Sequence, residues 1–277
     1  MRFGDFVAKK EAEAAGAALA PFTTALDAPP TGAVAIGNAW TREYFDGDFY
    51  VSPPRGDRPS TSLVFVQSRD GNTVAPDPST LGGGALDKHV IYEGLSRVAA
   101  DAVLGGAQTI RGGTIVFSVW HPELVALRRT LGLPRHPIQI VATLRGLPFE
   151  DALIFNVPEL RVILLTLPTW VALMHEPLAE RPWITPVVMH TPEDLPSAFR
   201  QLRALGIERI SCVGGRTFAR QLLAAGLVDD VYLTTSATEG GRANTPLIDA
   251  PLRGDVVVRK HGTGPDAGVT FEQIRMR

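Results

Sequence analysis

Residues Glu208 to Thr235 read E-R-I-S-C-V-G-G-R-T-F-A-R-Q-L-L-A-A-G-L-V-D-D-V-Y-L-T-T, and this stretch decides the fold. Ile210, Cys212 and Val213 make a short apolar strand, which Gly214 and Gly215 break. From Thr217 to Ala225 the apolar residues Phe218, Leu222, Leu223 and Ala225 recur with the spacing of one helix face. Gly226 supplies the helix stop, because the residue past a helix end often turns left-handed, which glycine does without steric cost. Val228 to Leu233 is a second strand. Strand, glycine turn, helix and strand together are the repeating unit of an α/β sheet.

Such a unit has a physical use. A double glycine lets the backbone come close to a bound group. The helix behind it aims unpaired N–H groups and a positive dipole end at the same spot. The result suits an anion, and a phosphate in particular. Arg216 and Thr217 at the helix start add a cation and a hydroxyl. The same pattern also serves as a plain connecting turn, and the residues alone leave both readings open.

Length and composition bound the rest. A chain of 277 residues suits one large domain, or one domain plus an extension. A net charge of −2 advertises no basic surface for nucleic acid or membrane. The single cysteine, Cys212, excludes an internal disulfide and most zinc sites, and its place in an apolar strand makes it a core residue. His175 and His190 lack the spacing of metal ligands, so no metal is expected. Residues 8–20 are too acidic for a secretory leader. The longest apolar run, Val162 to Met174, is shorter than the ~20 residues of a membrane span. A cytoplasmic protein without nucleic-acid or membrane partners is the expectation.

In chain order, residues 1–61 read as a proline-rich, partly ordered N-terminal extension, and 62–277 as the main domain. Lys9 to Ala20 favours helix. Trp40, Tyr44, Phe45, Phe49 and Tyr50 crowd into eleven residues and call for burial, either on the domain or on a partner. Ser62 to Gln67 predicts a central strand, and Ser68, Arg69, Asp70, Gly71 and Asn72 a turn at its end. A helix follows over Asp87–Val98, then a strand over Asp101–Gly106. Further strands are expected at 137–143, 161–166 and 184–190, and a helix over Thr191–Gly206 capped by Thr191. Val256–Lys260 and Val269–Arg275 alternate as a terminal antiparallel pair. The segment Gly262–Ala267 matches G-x-G-x-x-A but holds Pro265 and precedes no helix, so it is no nucleotide site.

The motifs V-G-G-R-T-F-A-R-Q-L-L and A-G-L-V-D-D-V resemble the C-terminal reductase domain of the bifunctional riboflavin-biosynthesis deaminase-reductases. The turn S-R-D-G-N at 68–72 is similar to that family's S-x-D-G-K/R, and Ser96–Arg111 aligns without gaps on its L-R-A-x-x-D-A-V-L-V-G-A-G-T-V-R. The zinc motif of the deaminase half is missing. The resemblance implies a dihydrofolate-reductase-like fold, α/β and three-layered, with a mixed, mostly parallel central sheet and a C-terminal antiparallel strand pair. It implies NADPH as cofactor and pairing into a homodimer.

Residue by residue, the resemblance implies that Gly214, Gly215, Arg216, Thr217 and Phe218 seat the cofactor's pyrophosphate. Gln67, Gly83, Thr109 and Thr143 fall on further cofactor contacts. Apart from the resemblance, a cofactor with a 2′-phosphate wants a cation nearby, and Arg216 and Arg111 are the candidates. Asp70 takes the catalytic position, with Ser68, Asn72, Arg97 and Val213 facing the substrate. Asn72 stands where the family has Lys or Arg, and Val213 where it has Glu. The expected function is an NADPH-dependent reductase of a pyrimidine- or pteridine-like small molecule. The alternative is a nucleotide-binding protein of the same fold with a decayed or different site.

Overall fold

The structure is a computed structural model and describes residues 2–111, 113–150 and 152–277. Its strands are β1 (Phe22–Asp27), β2 (Val34–Ile36), β3 (Phe49–Val51), β4 (Ser60–Gln67), β5 (Ala102–Gly106) and β6 (Ile138–Ala142). They continue with β7 (Val162–Thr166), β8 (Ile184–Val188), β9 (Arg209–Cys212), β10 (Asp230–Thr235), β11 (Gly254–Gly262) and β12 (Thr270–Met276). Ten of them form one sheet in the order β1-β11-β12-β10-β4-β9-β5-β6-β7-β8. From β10 to β8 every pair is parallel; β12, β11 and β1 join antiparallel.

The parallel strands explain their own composition. Strands covered by helices on both faces read as unbroken apolar runs, as L-V-F-V, V-I-L-L and A-V-L do here. Alternate residues of each strand enter two separate cores. Leu63, Leu104, Ile140, Cys212 and Leu233 pack under the helices Leu195–Ala204 and Arg216–Ala224. Val64, Val103, Val141, Val213 and Tyr232 pack under the helical stretch 84–98 and the segment 115–120. The three-layer, mixed-sheet architecture expected from the sequence is therefore present.

Residues 1–61 are woven into that architecture. β1 lies along β11 and adds a third antiparallel strand to the terminal pair. Phe22, Phe45 and Phe49, each 1% exposed, gather around Phe271 on β12. The helix Phe3–Ala15 sets Phe6 edge-on to Trp120, with ring centroids 5.6 Å apart. Of the crowded aromatics, Phe45 and Phe49 are buried, and Trp40, Tyr44 and Tyr50 pack half-buried against the same core of the chain itself.

Two elements depart from the sequence reading. The helix expected from Thr191 starts at Leu195 instead. The Asp194 carboxylate accepts the N–H groups of His190 and Thr191, so those residues form a turn that closes before the helix begins. The helical stretch 84–98 is not uniform either: it winds as a π-helix over Asp87–Leu95, with a kink at Gly94 (φ −122°, ψ −110°). No helix among the described residues is long and apolar enough to cross a membrane.

Candidate active site

All parallel strands end on one edge of the sheet, where α/β folds gather their ligand contacts. Leu104 on β5 pairs with Cys212 on β9, so the two glycine pairs that follow, Gly105–Gly106 and Gly214–Gly215, come out side by side. A Cβ built on Gly214 would lie 3.8 Å from the Gly106 main-chain nitrogen and 3.1 Å from Cδ1 of Phe218. A Cβ on Gly106 or Gly215 would meet nothing within 4 Å. The result is a crevice walled by backbone. It opens onto the first turn of the helix Arg216–Ala224, where no hydrogen bond among the described residues uses the N–H groups of Gly215, Arg216 or Thr217. Free donors at a helix start, with room above them, fit a diphosphate. Phe218, half-buried, closes the floor, while Thr217 is exposed.

Asp70 sits elsewhere and does something else. Its Oδ1 lies 2.5 Å from Ser68 Oγ and accepts the Gly240 N–H at 3.2 Å. Its Oδ2 accepts Asn72 Nδ2–H at 2.7 Å. Asn72 also donates to Gly240 O at 2.9 Å, and its Oδ1 accepts the Thr245 N–H at 3.2 Å. Ser68, Asp70 and Asn72 thus clasp the turn after β4 to the loop 236–245. The Ser68 hydroxyl, with the Gly240 N–H behind it, holds the exposed Asp70 carboxyl below its usual range. The hydrogen bonds from Ser68 and Gly240 favour its charged form.

Other sequence candidates divide in the same way. Arg97 is 2% exposed: its guanidinium lies 4.4 Å from the Tyr92 ring centroid and donates to Ser118 O at 3.0 Å. It faces the core beneath the helical stretch, not the strand ends, because the turn geometry around Ser96–Val98 points it inward against Phe117. Thr143 is 6% exposed and spends its hydroxyl closing a turn, donating to Gly146 O and accepting Arg145 N–H. Arg216 turns its side chain away to Pro246 O and Asp249, leaving only its main chain at the crevice. Gln67, half-buried, donates to Thr235 Oγ1 at 3.0 Å. Thr109 is half-buried in the short helix Ala107–Ile110 beside the crevice. Val213, 7% exposed, presents an apolar side chain. The structure therefore brings together Gly214–Phe218 and Thr109, separates the clasp from them, and withdraws Arg97 and Thr143.

The chain matches the family model described as the RibD C-terminal domain over residues 59–255. It belongs to the RibD C-terminal domain family. Among solved structures it is similar to a pyrimidine reductase-like protein from Corynebacterium diphtheriae, with 20% identity and a TM-score of 0.60, over 79% of this chain and 92% of that one. It is also similar to Acinetobacter baumannii RibD, at 18% identity and a TM-score of 0.58, covering 79% of this chain and 58% of that one. The riboflavin biosynthesis reductase Rib7 of Saccharomyces cerevisiae is a third, at 15% identity and a TM-score of 0.54, over 80% and 92% of the two chains. Comparison with curated protein sequences gives no match. At these identities the likeness is one of fold, and the fold is the dihydrofolate-reductase-like one expected from the sequence.

Two features of this RibD C-terminal domain escaped the sequence reading. The first is Asp87, at the start of the helical stretch. Its Oδ1 accepts the Thr234 hydroxyl at 2.5 Å, at the carboxyl end of β10. A Cβ on Gly83 would fall 2.6 Å from Asp87 Oδ2, so the glycine leaves that oxygen its space. Burial pushes the carboxyl up to about 7; the Thr234 bond works against this and the nearby Asp266 adds to it. In the sequence Asp87 is only the first residue of the expected helix. Only the fold sets it against Thr234, which no local spacing reveals.

The second is an open cavity of 480 Å³ beyond the ends of β6 and β7, lined by Arg111, Arg145, Trp170 and Leu173 among others. Gly146 (φ +64°) lets the Trp170 ring lie against its backbone, where a Cβ would come within 2.7 Å of the ring. Arg111 had a sequence signal; Arg145 did not. A smaller cavity of 20 Å³ lies at the opposite, amino-end edge beside Ser52, Ser60 and Asp230, and holds room for about one water. Among the described residues no group of three or more His, Cys, Asp or Glu is placed to hold a metal ion.

Proposed function

We propose that this chain is an NADPH-dependent reductase of a pyrimidine- or pteridine-like small molecule. One observation carries the reading: the backbone crevice of Gly106, Gly214 and Gly215, open above free N–H groups at the start of the helix Arg216–Ala224. A diphosphate held there by Gly215, Arg216 and Thr217 leaves two directions for the rest of a dinucleotide. One leads past Thr109 toward Arg111, Arg145 and Trp170, where an adenine would stack on the indole and a 2′-phosphate would meet two guanidiniums. The other leads over β4 toward Thr234 and Asp87. A bound reduced nicotinamide supplies the hydride; the protein positions it and shapes the electrostatics around it.

The family and the printed names of the similar structures support a pyrimidine substrate. The Thermotoga maritima relative, for example, is named as a deaminase and 5-amino-6-(5-phosphoribosylamino)uracil reductase. Against that particular substrate stand three residues of this chain. Arg97 is turned inward, Asn72 is consumed by the clasp, and Val213 is apolar. A site that recognises a substrate by hydrogen bonds discriminates through those groups, by up to about 10⁴–10⁵-fold. The reading therefore favours a ring without the ribose phosphate.

The same three residues favour the second reading, a nucleotide-binding protein with no turnover. Titration with NADPH, followed by steady-state assays with phosphoribosylaminouracil and dihydropteridine compounds, separates the two. Turnover of either ring class supports the reductase. Binding without turnover supports the second reading, and absence of NADPH binding removes both. The homodimer implied by the resemblance stays part of the proposal on that ground alone, since the N-terminal aromatics pack against the chain's own core. Light scattering that gives one chain per particle at micromolar concentration contradicts it.

A further inference from the structure

The helix Phe3–Ala15 is held to the rest of the chain by few contacts. Phe6 and Ala14 are its buried residues, and no side chain caps its start. It lies against the helix Pro122–Thr130 and against Trp120, where Phe6 sits edge-on. Among the described residues one side-chain hydrogen bond ties it there, from Arg135 Nη2 to Glu11 Oε1 at 2.7 Å. The parallel strands, by contrast, are paired on both sides from β10 to β7. A chain-end helix of this kind opens more readily than the sheet beneath it.

Three histidines lie in this docking region, and the geometry of each suits a neutral ring. His136 packs between Phe3 and Trp120, with ring centroids 5.4 and 6.0 Å away. Arg135 Nη1 donates to Ser118 Oγ at 3.1 Å, and that hydroxyl lies 2.8 Å from His136 Nδ1. The serine proton therefore goes to Nδ1, which must be an acceptor. His121 caps the helix Pro122–Thr130: its Nδ1 accepts the Glu123 N–H at 3.3 Å, and its ring stacks on Trp40 at 4.0 Å. Protonation would remove that acceptor and set a positive charge at a helix start. His89 is 8% exposed, and its Nδ1 has no hydrogen-bond partner among the described residues.

The charges around them point the same way. His136 faces Arg135 on its own segment and Arg128 on the helix Pro122–Thr130. His89 faces Lys88 and Glu93 on its own stretch, and Lys10 and Glu13 on the helix Phe3–Ala15. His121 faces Glu123 and His89. Glu13, Glu93 and Glu123 favour the charged rings. Burial, the cations and the neighbouring histidine oppose them, and His89 and His136 are lowered to about 4.

We propose that the helix Phe3–Ala15 is an acid-released strap: as His89, His121 and His136 take up protons, it leaves Trp120 and the helix Pro122–Thr130 while the central sheet stays folded. The docked state holds the rings neutral, and the released state lets them titrate near their ordinary 6.5. Docking is thus complete above that pH and weakens as pH falls toward about 4. Each histidine that release exposes contributes up to about tenfold per pH unit in this window.

Hydrogen exchange of the full chain, read by mass spectrometry from pH 7.5 to 5 and corrected for the intrinsic rate, tests this. Peptides within 3–15 should lose protection by about 10–100-fold per pH unit below 6.5, while β4 and β9 keep theirs. His136→Asn keeps an acceptor for Ser118 but takes no proton, and should reduce that slope by up to about tenfold per pH unit. His121→Asn keeps a good helix cap and should also flatten it. Glu11→Gln should lower protection at every pH and leave the slope unchanged. The proposal is overturned if protection of 3–15 does not vary with pH, or if β4 and β9 lose theirs at the same pH. It is equally overturned if both histidine variants keep the wild-type slope.

Discussion

Gly106 and Gly214 lie abreast at the carboxyl ends of β5 and β9, so close that a side chain on Gly214 would start 3.8 Å from the Gly106 nitrogen. Two strands meet here with no side chains between them. That nearness follows from the parallel register of Leu104 with Cys212. It turns two short sequence features, A-V-L-G-G at 102–106 and S-C-V-G-G at 211–215, into one crevice.

Filling that crevice should remove binding and spare folding. Gly106 has φ −83° and nothing within 4 Å of where its Cβ would go, so Gly106→Val needs no left-handed backbone and starts its side chain in open space. We expect unchanged thermal unfolding and at least a tenfold loss of NADPH affinity, about 1.4 kcal/mol. Nicotinamide fluorescence titration beside a melting curve reads both.

Cofactor choice should reside in the cavity beside Trp170. Arg111 and Arg145 line it, and both side chains are exposed. Replacing Arg145 with Glu should weaken NADPH by about 10–100-fold and leave NADH nearly unchanged, because only the former carries a 2′-phosphate. Competition of the two dinucleotides, repeated at high salt where the difference should shrink, checks it.

The clasp should be structural. Asn72→Ala removes the donor to Gly240 O and the acceptor for Thr245 N–H, both at a residue 5% exposed. Unsatisfied buried groups of this kind cost about 1–3 kcal/mol, read as a lower urea midpoint. Any loss of turnover should follow the loss of folded protein rather than a change in pH profile.

Proton linkage should show opposing contributions. Burial lowers His89 and His136 to about 4, and lowers His121 as well. The unfolded chain therefore binds protons at these sites first, and stability falls as pH drops from about 6.5 toward 4. Asp87, raised to about 7, acts oppositely: the folded state holds its proton, and this contribution is lost as pH rises from about 4 to 7. Asp87→Asn should thus steepen the acid decline by about one proton, or about 1.4 kcal/mol per pH unit. Urea midpoints measured across that window give the slope.

Much of this architecture was legible in the sequence because local patterns determine it. Apolar runs gave the parallel strands, and the glycine turn before an amphipathic helix gave the crevice's helix side. What stayed hidden depends on register between distant segments. β1 joins the sheet only because β11 presents an edge to it. Asp70 and Asn72 carried the strongest local motif, yet the loop 236–245 supplies the partners that make them a clasp. Arg97 aligned without a gap, but its side chain lies over the rings of Tyr92 and Phe117, three residues past the kink at Gly94. Asp87 gave no signal because its chemistry comes from Thr234 and Gly83.

The most direct test of the account is a crystal soaked with NADPH. The account predicts diphosphate density within hydrogen-bond reach of the N–H groups of Gly215, Arg216 and Thr217, with the nicotinamide over β4. Density for the diphosphate at any other place, such as the amino-end edge beside Ser60, contradicts it.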